Sequence, residues 1–427
     1  MIIPAHPAPL LERIDRTRLS TLAPEWDALI ADSENPGPFL TSTWIGSWLA
    51  TLGADADLEV MTARDADDGR LIAVAPFHVE RRVRAGLRYR VLRLLGSGPA
   101  APDHLDMPVA RDATPGTAEA LWAAVQRERR WDLIDFDGVA SEGVLTRLLL
   151  RRAADRERVE HIPVPFLRLD ASWEETTAQF APPLRNTIDR HRRKLDREGA
   201  VTERMVAEAG DLETTMTHLQ RLHQGVRSEA GDRGAFGAPQ LAAFQREMAR
   251  GMFATGRLRL WRLDVNDETI AVIECFRYGD TVSFYTTGYD REWHRFGPGS
   301  RIMAAAIAGA VAEGATGFDF LRGDEPYKAT WGATLRHDLR IVQPSGRLGR
   351  LLLLAREVTR RSAALIRGET SPMRPLPSVG RPVHSPRGRS SVLEPPHRGH
   401  RPTPRRRARH DPQPAHTPTD PPLTSGA

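Results

Sequence analysis

The stretch Thr281 to Trp331 reads TVSFYTTGYDREWHRFGPGSRIMAAAIAGAVAEGATGFDFLRGDEPYKATW. Thr281 to Tyr289 has the aromatic and β-branched content of a strand. A glycine-rich run, His294-Arg295-Phe296-Gly297-Pro298-Gly299-Ser300, leads into an apolar helix, Ser300 to Glu313. Gly317 to Leu321 reads as a second strand, followed by a short helix around Tyr327. Glycines let a backbone approach a ligand, and a helix start offers unpaired amide hydrogens and a partial positive charge. His294, Arg295, Gly297, Gly299 and Ser300 are therefore a candidate anion site, suited to a pyrophosphate.

Working upstream, a basic helix, Pro183 to Glu198, precedes a strand, Val201 to Ala207, and two helices, Asp211 to Gly225 and Pro239 to Ala254. Strands Leu258 to Asp264 and Thr269 to Tyr278 follow, the latter joined to Thr281 by the two-residue turn Gly279-Asp280. The first half shows the same order. Helices Leu19 to Ala31 and Thr41 to Leu52 lead to strands Leu58 to Ala63, Leu71 to Val79 and Tyr89 to Leu95. Then come a helix, Thr117 to Arg130, a strand, Trp131 to Phe136, and a helix, Glu142 to Ala154. Two such halves point to an α/β fold with an internal duplication.

A chain of 427 residues has room for two sizeable cores and a tail. The net charge of +5 is unevenly placed: Arg367 to Ala427 holds 11 arginines against 4 acidic residues, which leaves the rest at −2. That tail also carries 14 of the 33 prolines, and is expected to be disordered, with its arginines offering weak contact to nucleic acid or an anionic surface. Cys275 is the single cysteine, which excludes an internal disulfide and fits a reducing cytoplasm. No run approaches the roughly 18 to 20 apolar residues of a membrane span, and the proline-bearing N-terminus is unlike a signal peptide. A last helix is expected over Arg347 to Ile366.

The order strand, two helices, three antiparallel strands, glycine-rich loop, helix, strand, helix over Val201 to Leu339 resembles the GNAT acyltransferases. Their loop begins with Gln or Arg where this chain has His294. Pro38-Phe39-Leu40-Thr41-Ser42-Thr43-Trp44, the charged Arg185 to Lys194 helix and Asp319-Phe320-Leu321-Arg322-Gly323-Asp324-Glu325-Pro326-Tyr327-Lys328 with Trp331 resemble the GNAT subfamily associated with cellulose and exopolysaccharide biosynthesis. That resemblance implies tandem GNAT-like domains, 15–165 and 166–345, similar to Fem-type peptidyltransferases and tRNA-dependent aminoacyl transferases. It also implies an acyl-CoA donor and a small-molecule or glycan-precursor acceptor; no metal is expected, since no Cys or second close His beside Asp103-His104-Leu105-Asp106 supports a zinc spacing.

Acyl transfer to an amine needs a base, an oxyanion stabiliser and a proton for the leaving thiolate. The resemblance places Tyr327 as general acid and Lys328 as oxyanion or phosphate ligand. Glu274, inside an apolar strand, is a base candidate because burial raises a carboxyl pKa. His223 and Arg227, four apart on one helix, share a face and are expected to line the acceptor cleft. Asp319, Asp324, Glu325, Trp331, Asp103 and His104 complete the expected acceptor-binding set. Two other readings fit the same residues: an aminoacyl-tRNA-dependent transferase, and a non-catalytic binding protein acting through the tail.

Overall fold

The computed structural model describes residues 7–127, 129–150, 158–228 and 236–355, the side chains of 226–228 excepted. The tail expected to be disordered, Arg367 to Ala427, lies outside these residues. The expected last helix begins at residue 347 and is described as far as 355.

In chain order the first half comprises β1 (Leu10–Ile14), α1 (Arg16–Thr21), α2 (Ala23–Asp32), α3 (Ser42–Ala50), β2 (Asp57–Arg64), β3 (Leu71–Arg84), β4 (Leu87–Leu94), α4 (Thr117–Arg127), β5 (Leu133–Ala140), α5 (Val144–Leu150) and β6 (Arg158–Arg168). After α6 (Trp173–Ala178) and α7 (Pro182–Leu195), the second half comprises β7 (Val201–Met205), α8 (Ala209–Ser228), α9 (Pro239–Ala254), β8 (Leu258–Val265), β9 (Glu268–Tyr278), β10 (Thr281–Tyr289), α10 (Pro298–Ala312), β11 (Gly317–Asp319), α11 (Pro326–Thr330) and β12 (Thr334–Pro344).

All twelve strands form one sheet in the order β1-β2-β3-β4-β5-β12-β6-β11-β10-β9-β8-β7. The order is symmetric about the β12–β6 contact. Each half is an antiparallel meander whose last strand, β4 or β10, pairs in parallel with the next, β5 or β11, after a helical crossover. Each half then gives its final strand to the other: β6 lies beside β11, and β12 beside β5. This exchange makes the duplication visible and ties the halves through backbone hydrogen bonds.

Cross-strand partners share a face, so the register sorts side chains into two layers. On the first face α10 covers Ile273, Cys275, Val282 and Phe318, with Leu184, Ile188 and Leu195 of α7 packed against the same cluster. The opposite face carries Val272, Glu274 and Phe276 and is covered by α8 and α9 in the second half and by α3 in the first. There Trp44 meets Phe244 edge-on at 5.0 Å, and Phe39 meets Phe276 at 6.2 Å. Each such pair adds about 0.5–1.5 kcal/mol beyond burial. The halves therefore share a core as well as a sheet.

Candidate active site

Parallel pairing of β10 with β11 covers Thr281–Gly317, Val282–Phe318 and Ser283–Asp319 and then stops. Beyond Ser283, β10 carries a bulge at Tyr285 but stays on β9 through Tyr289. The chain after Asp319 stays on β6 instead, with the Phe320 and Gly323 amides donating to the Pro165 and Pro163 carbonyls. The two strands diverge, and among the described residues no strand or bridge fills the opening. The first half has the same divergence after Leu92–Ile134. There it is occupied by the chain itself: the Leu105 amide donates to Gly138 and the Ala140 amide to Leu105, in a parallel bridge.

The expected glycine-rich loop is more ordered than its composition suggests. Arg291–Phe296 form a 3-10 helix, Gly297 takes the left-handed conformation at φ 63°, and α10 starts at Pro298. The helical ladder begins with the Arg301 amide donating to Gly297, so the Gly299 and Ser300 amides are the unpaired first donors. A Cβ on Gly299 would sit 3.3 Å from the Tyr289 ring, which places this helix start against the end of β10. His294 stacks on Tyr289 at 6.2 Å, and the Arg295 guanidinium lies 4.6 Å from the Phe296 ring centre. α7 closes the other side: a Cβ on Gly297 would overlap the His191 ring, whose Nδ1 is buried with no hydrogen-bond partner. Arg301 bonds Asp196 at 2.8 Å and also Glu203. Arg185, Arg190, Arg192, Arg193 and Lys194 on α7, and Arg197 just after it, are exposed.

Glu274 is fully buried on the α8–α9 side, and neither carboxylate oxygen has a partner. Burial lifts its pKa to about 8. Its cross-strand neighbour is Thr286, just past the bulge. His223 reaches the same place from α8, its Nδ1 donating to the Thr287 carbonyl at 2.9 Å, while Thr286 Oγ1 is 3.4 Å from that nitrogen. The close approach needs Gly288, where a Cβ would stand 2.5 Å from the His223 amide nitrogen. Tyr285 donates to the Ala100 carbonyl at 2.9 Å and accepts from Gln245 at 3.2 Å. The side chain of Arg227 lies outside the described residues.

Asp103 and His104 lie at the vertex of the opening, brought there by the segment that fills the first-half gap. His104, left-handed at φ 57°, places Nε2 at 2.9 Å from Asp319 and Nδ1 at 3.0 Å from Asp338. Asp103 takes two bonds from Arg322, 2.7 Å from its amide and 2.8 Å from Nε, and is pushed up to about 6 by burial against that guanidinium. Arg322 also donates to Asp137 at 3.0 Å and to the Pro102 carbonyl at 2.7 Å. Asp103 and His104, expected as acceptor ligands, are thus committed to protein partners.

Lys328 is similarly engaged. Its buried Nζ donates to Arg322 O at 2.8 Å, with Leu321 O and Gly323 O at 3.4 Å and the Glu325 carboxylate at 2.9 Å. An ammonium has three protons, so none is left for an oxyanion; Lys328 braces the 321–323 turn. Trp331, expected at the acceptor, is a core residue against Phe180 at 5.1 Å. Tyr327, 45% exposed, opens to solvent beside the exposed Asp324 and Glu325; burial of part of its ring, then the Glu325 charge, pushes its hydroxyl pKa up. The groups that sequence reasoning missed are Asp338, Tyr285 and His191. Their signal is spatial, since Asp338 is 234 residues from the histidine it holds.

Residues 183–329 match the profile of an acetyltransferase (GNAT) domain. No curated protein matches the sequence. Among solved structures the chain is similar to FemX, with a TM-score of 0.54 at 12% identity over 78% of this chain and 96% of that one. It is also similar to a conserved protein of unknown function from Bacteroides thetaiotaomicron VPI-5482, with a TM-score of 0.51 at 13% identity over 79% of this chain and 100% of that one. The chain thus has a FemX-like fold, and the stretch that matches the acetyltransferase (GNAT) domain profile lies in its second half.

Proposed function

We propose that this protein transfers an acyl group from acyl-CoA, acetyl-CoA being the simplest donor, to an amine or hydroxyl of a cell-envelope, polysaccharide or small-molecule precursor. The observation that carries this is the divergence of β10 from β11 beyond Ser283, with the unpaired start of α10 set against the end of β10. A donor running through that opening offers its pyrophosphate to the Gly299 and Ser300 amides, and its thioester carbonyl to the unpaired edge of β10. The acceptor comes from the α8 side. Its nucleophile forms the new bond to the acyl carbon as the carbon–sulfur bond breaks. The nucleophile's proton passes to the protein, and the thiolate takes one back.

His223 suits the first proton transfer by its place, on the α8 side against the edge of β10, where its Nδ1 donates to the Thr287 carbonyl. Glu274, poised near pH 8, is the second acceptor. Tyr327, exposed on α11 after the turn that follows β11, is the donor to the thiolate. The acceptor class is supported by the subfamily resemblance of Pro38–Trp44, the Arg185–Lys194 helix and the Asp319–Lys328 string with Trp331. The single cysteine and an acyl-CoA donor fit a cytoplasmic location.

Titration calorimetry with acetyl-CoA and longer acyl-CoAs is the test: micromolar binding is expected, and no heat at protein concentrations that would register it sinks the donor assignment. The exposed cations of α7 favour one second reading, an aminoacyl-tRNA donor, because a polyanion of that size would span them. Binding of charged tRNA that weakens steeply with salt, without acyl-CoA binding, selects it.

A further inference from the structure

Asp319 is the last residue of β11 to pair with β10, and Asp338 lies on β12 with β6 between them. Both carboxylates are buried, and a buried charge needs an opposite charge close by. His104 supplies it from the other half of the molecule. Both ring nitrogens face carboxylate oxygens at 2.9 and 3.0 Å, and its backbone amide donates to Asp338 at 2.6 Å. A ring that donates from both nitrogens carries two protons. Burial alone would lower its pKa, but the bonds and charges of Asp319 and Asp338 outweigh that and hold it well above 6.5. The neighbouring Asp103 on its own segment also acts on it, and is held by Arg322, which bonds Asp137 of β5 as well.

Asp319 does more than close this clamp. Its Oδ1 accepts the Leu321 amide at 2.7 Å, fixing a residue held left-handed at φ 53°. That turn presents the carbonyls of Leu321, Arg322 and Gly323 to Lys328, the neighbour of Tyr327. We infer that His104 is a positioning residue for the transfer site: as an imidazolium it clamps Asp319 to Asp338, and through Asp319 sets the Leu321–Gly323 turn and the helix that carries Tyr327. The first half, whose own gap is filled by its chain, thereby serves the gap of the second.

This role rests on the acyltransferase reading, but its test does not need turnover. Hydrogen exchange is measured on the full chain, wild type and His104→Ala, with rates referred to intrinsic values. The expected result is faster exchange of amides 319–328 by about tenfold or more, the factor that one pKa unit of lost interaction represents, with β7–β9 amides unchanged. Unchanged protection at 319–328 overturns the inference. If exchange rises everywhere, His104→Asn replaces it, since asparagine tolerates a left-handed φ and keeps one donor. In the wild type, loss of the second ring proton at alkaline pH releases the same amides, and in His104→Asn that pH step is absent; a step that persists in the variant overturns the inference. Failure of acyl-CoA binding in calorimetry, with the exchange result intact, removes the donor assignment and leaves the clamp.

Discussion

At the scale of single residues, Glu274 makes the sharpest demand. A carboxylate with no partner inside a core is held neutral, and its pKa of about 8 stands above the ordinary 4.5. Between those values the folded state binds more protons than the unfolded state, so the stability Glu274 contributes is full below pH 4.5 and is lost as pH rises through 8. Glu274→Gln keeps the volume and removes the proton. Urea melts from pH 5 to 8 are expected to show wild-type stability falling about 1 kcal/mol per pH unit faster than that of the variant. Parallel slopes would mean the carboxyl finds a partner in solution. If Glu274 is also the base, kcat/KM of the wild type climbs toward pH 8, and the glutamine protein loses that limb. The burial of this residue was legible from the apolar run around it, whereas its solitude was not, because partners from α8 and α9 depend on side-chain placement.

At the scale of elements, α10 begins where three local requirements meet. Gly297 must be left-handed, must leave room for the His191 ring, and must free the Gly299 and Ser300 amides. Gly297→Ala adds roughly 1 kcal/mol of left-handed strain and an overlap with His191 worth about 1–3 kcal/mol more. In a double-mutant cycle with His191→Ala, the overlap is recovered and the strain remains. Equal stability losses in the single and double variants would show that His191 does not rest on this glycine.

Composition located this helix start because glycine and proline are the strongest local signals. The same logic hid β6 and β12. Pro163 and Pro165 argue against a central strand, yet their carbonyls accept from Gly323 and Phe320. In a strand a residue's N and C=O point to the same side, so the missing amides face that side too, where β11 has already ended, and the ladder with β12 is untouched. β12 was hidden by its charges, since Arg340 and Asp338 lie on a sheet face where each has an ionic partner, Asp135 and His104.

At the scale of the molecule, the exchange of β6 and β12 decides what can fold alone. A fragment cut at the boundary that sequence order suggests, 166–345, keeps β7 to β11 but loses eight of the eleven residues of β6. β12 would then lose β5 and all of β6 before Phe166, leaving its backbone groups and the buried Leu339, Ile341 and Val342 without neighbours. Asp338 and Asp319 would lose His104, and Phe244 and Phe276 would lose Trp44 and Phe39. An uncompensated buried charge alone costs about 3–5 kcal/mol, a large part of the 5–15 kcal/mol that holds a domain together. The fragment is therefore expected to be insoluble or to lack a cooperative melt. Residues 7–355 should unfold in a single calorimetric transition with one enthalpy by both calorimetric and van't Hoff measures. Two resolved transitions, or a soluble fragment with a sharp melt, would show that the halves are autonomous and that strand exchange joins them without being needed by either. The transfer site would then be complete within the second half, and His104 dispensable to it.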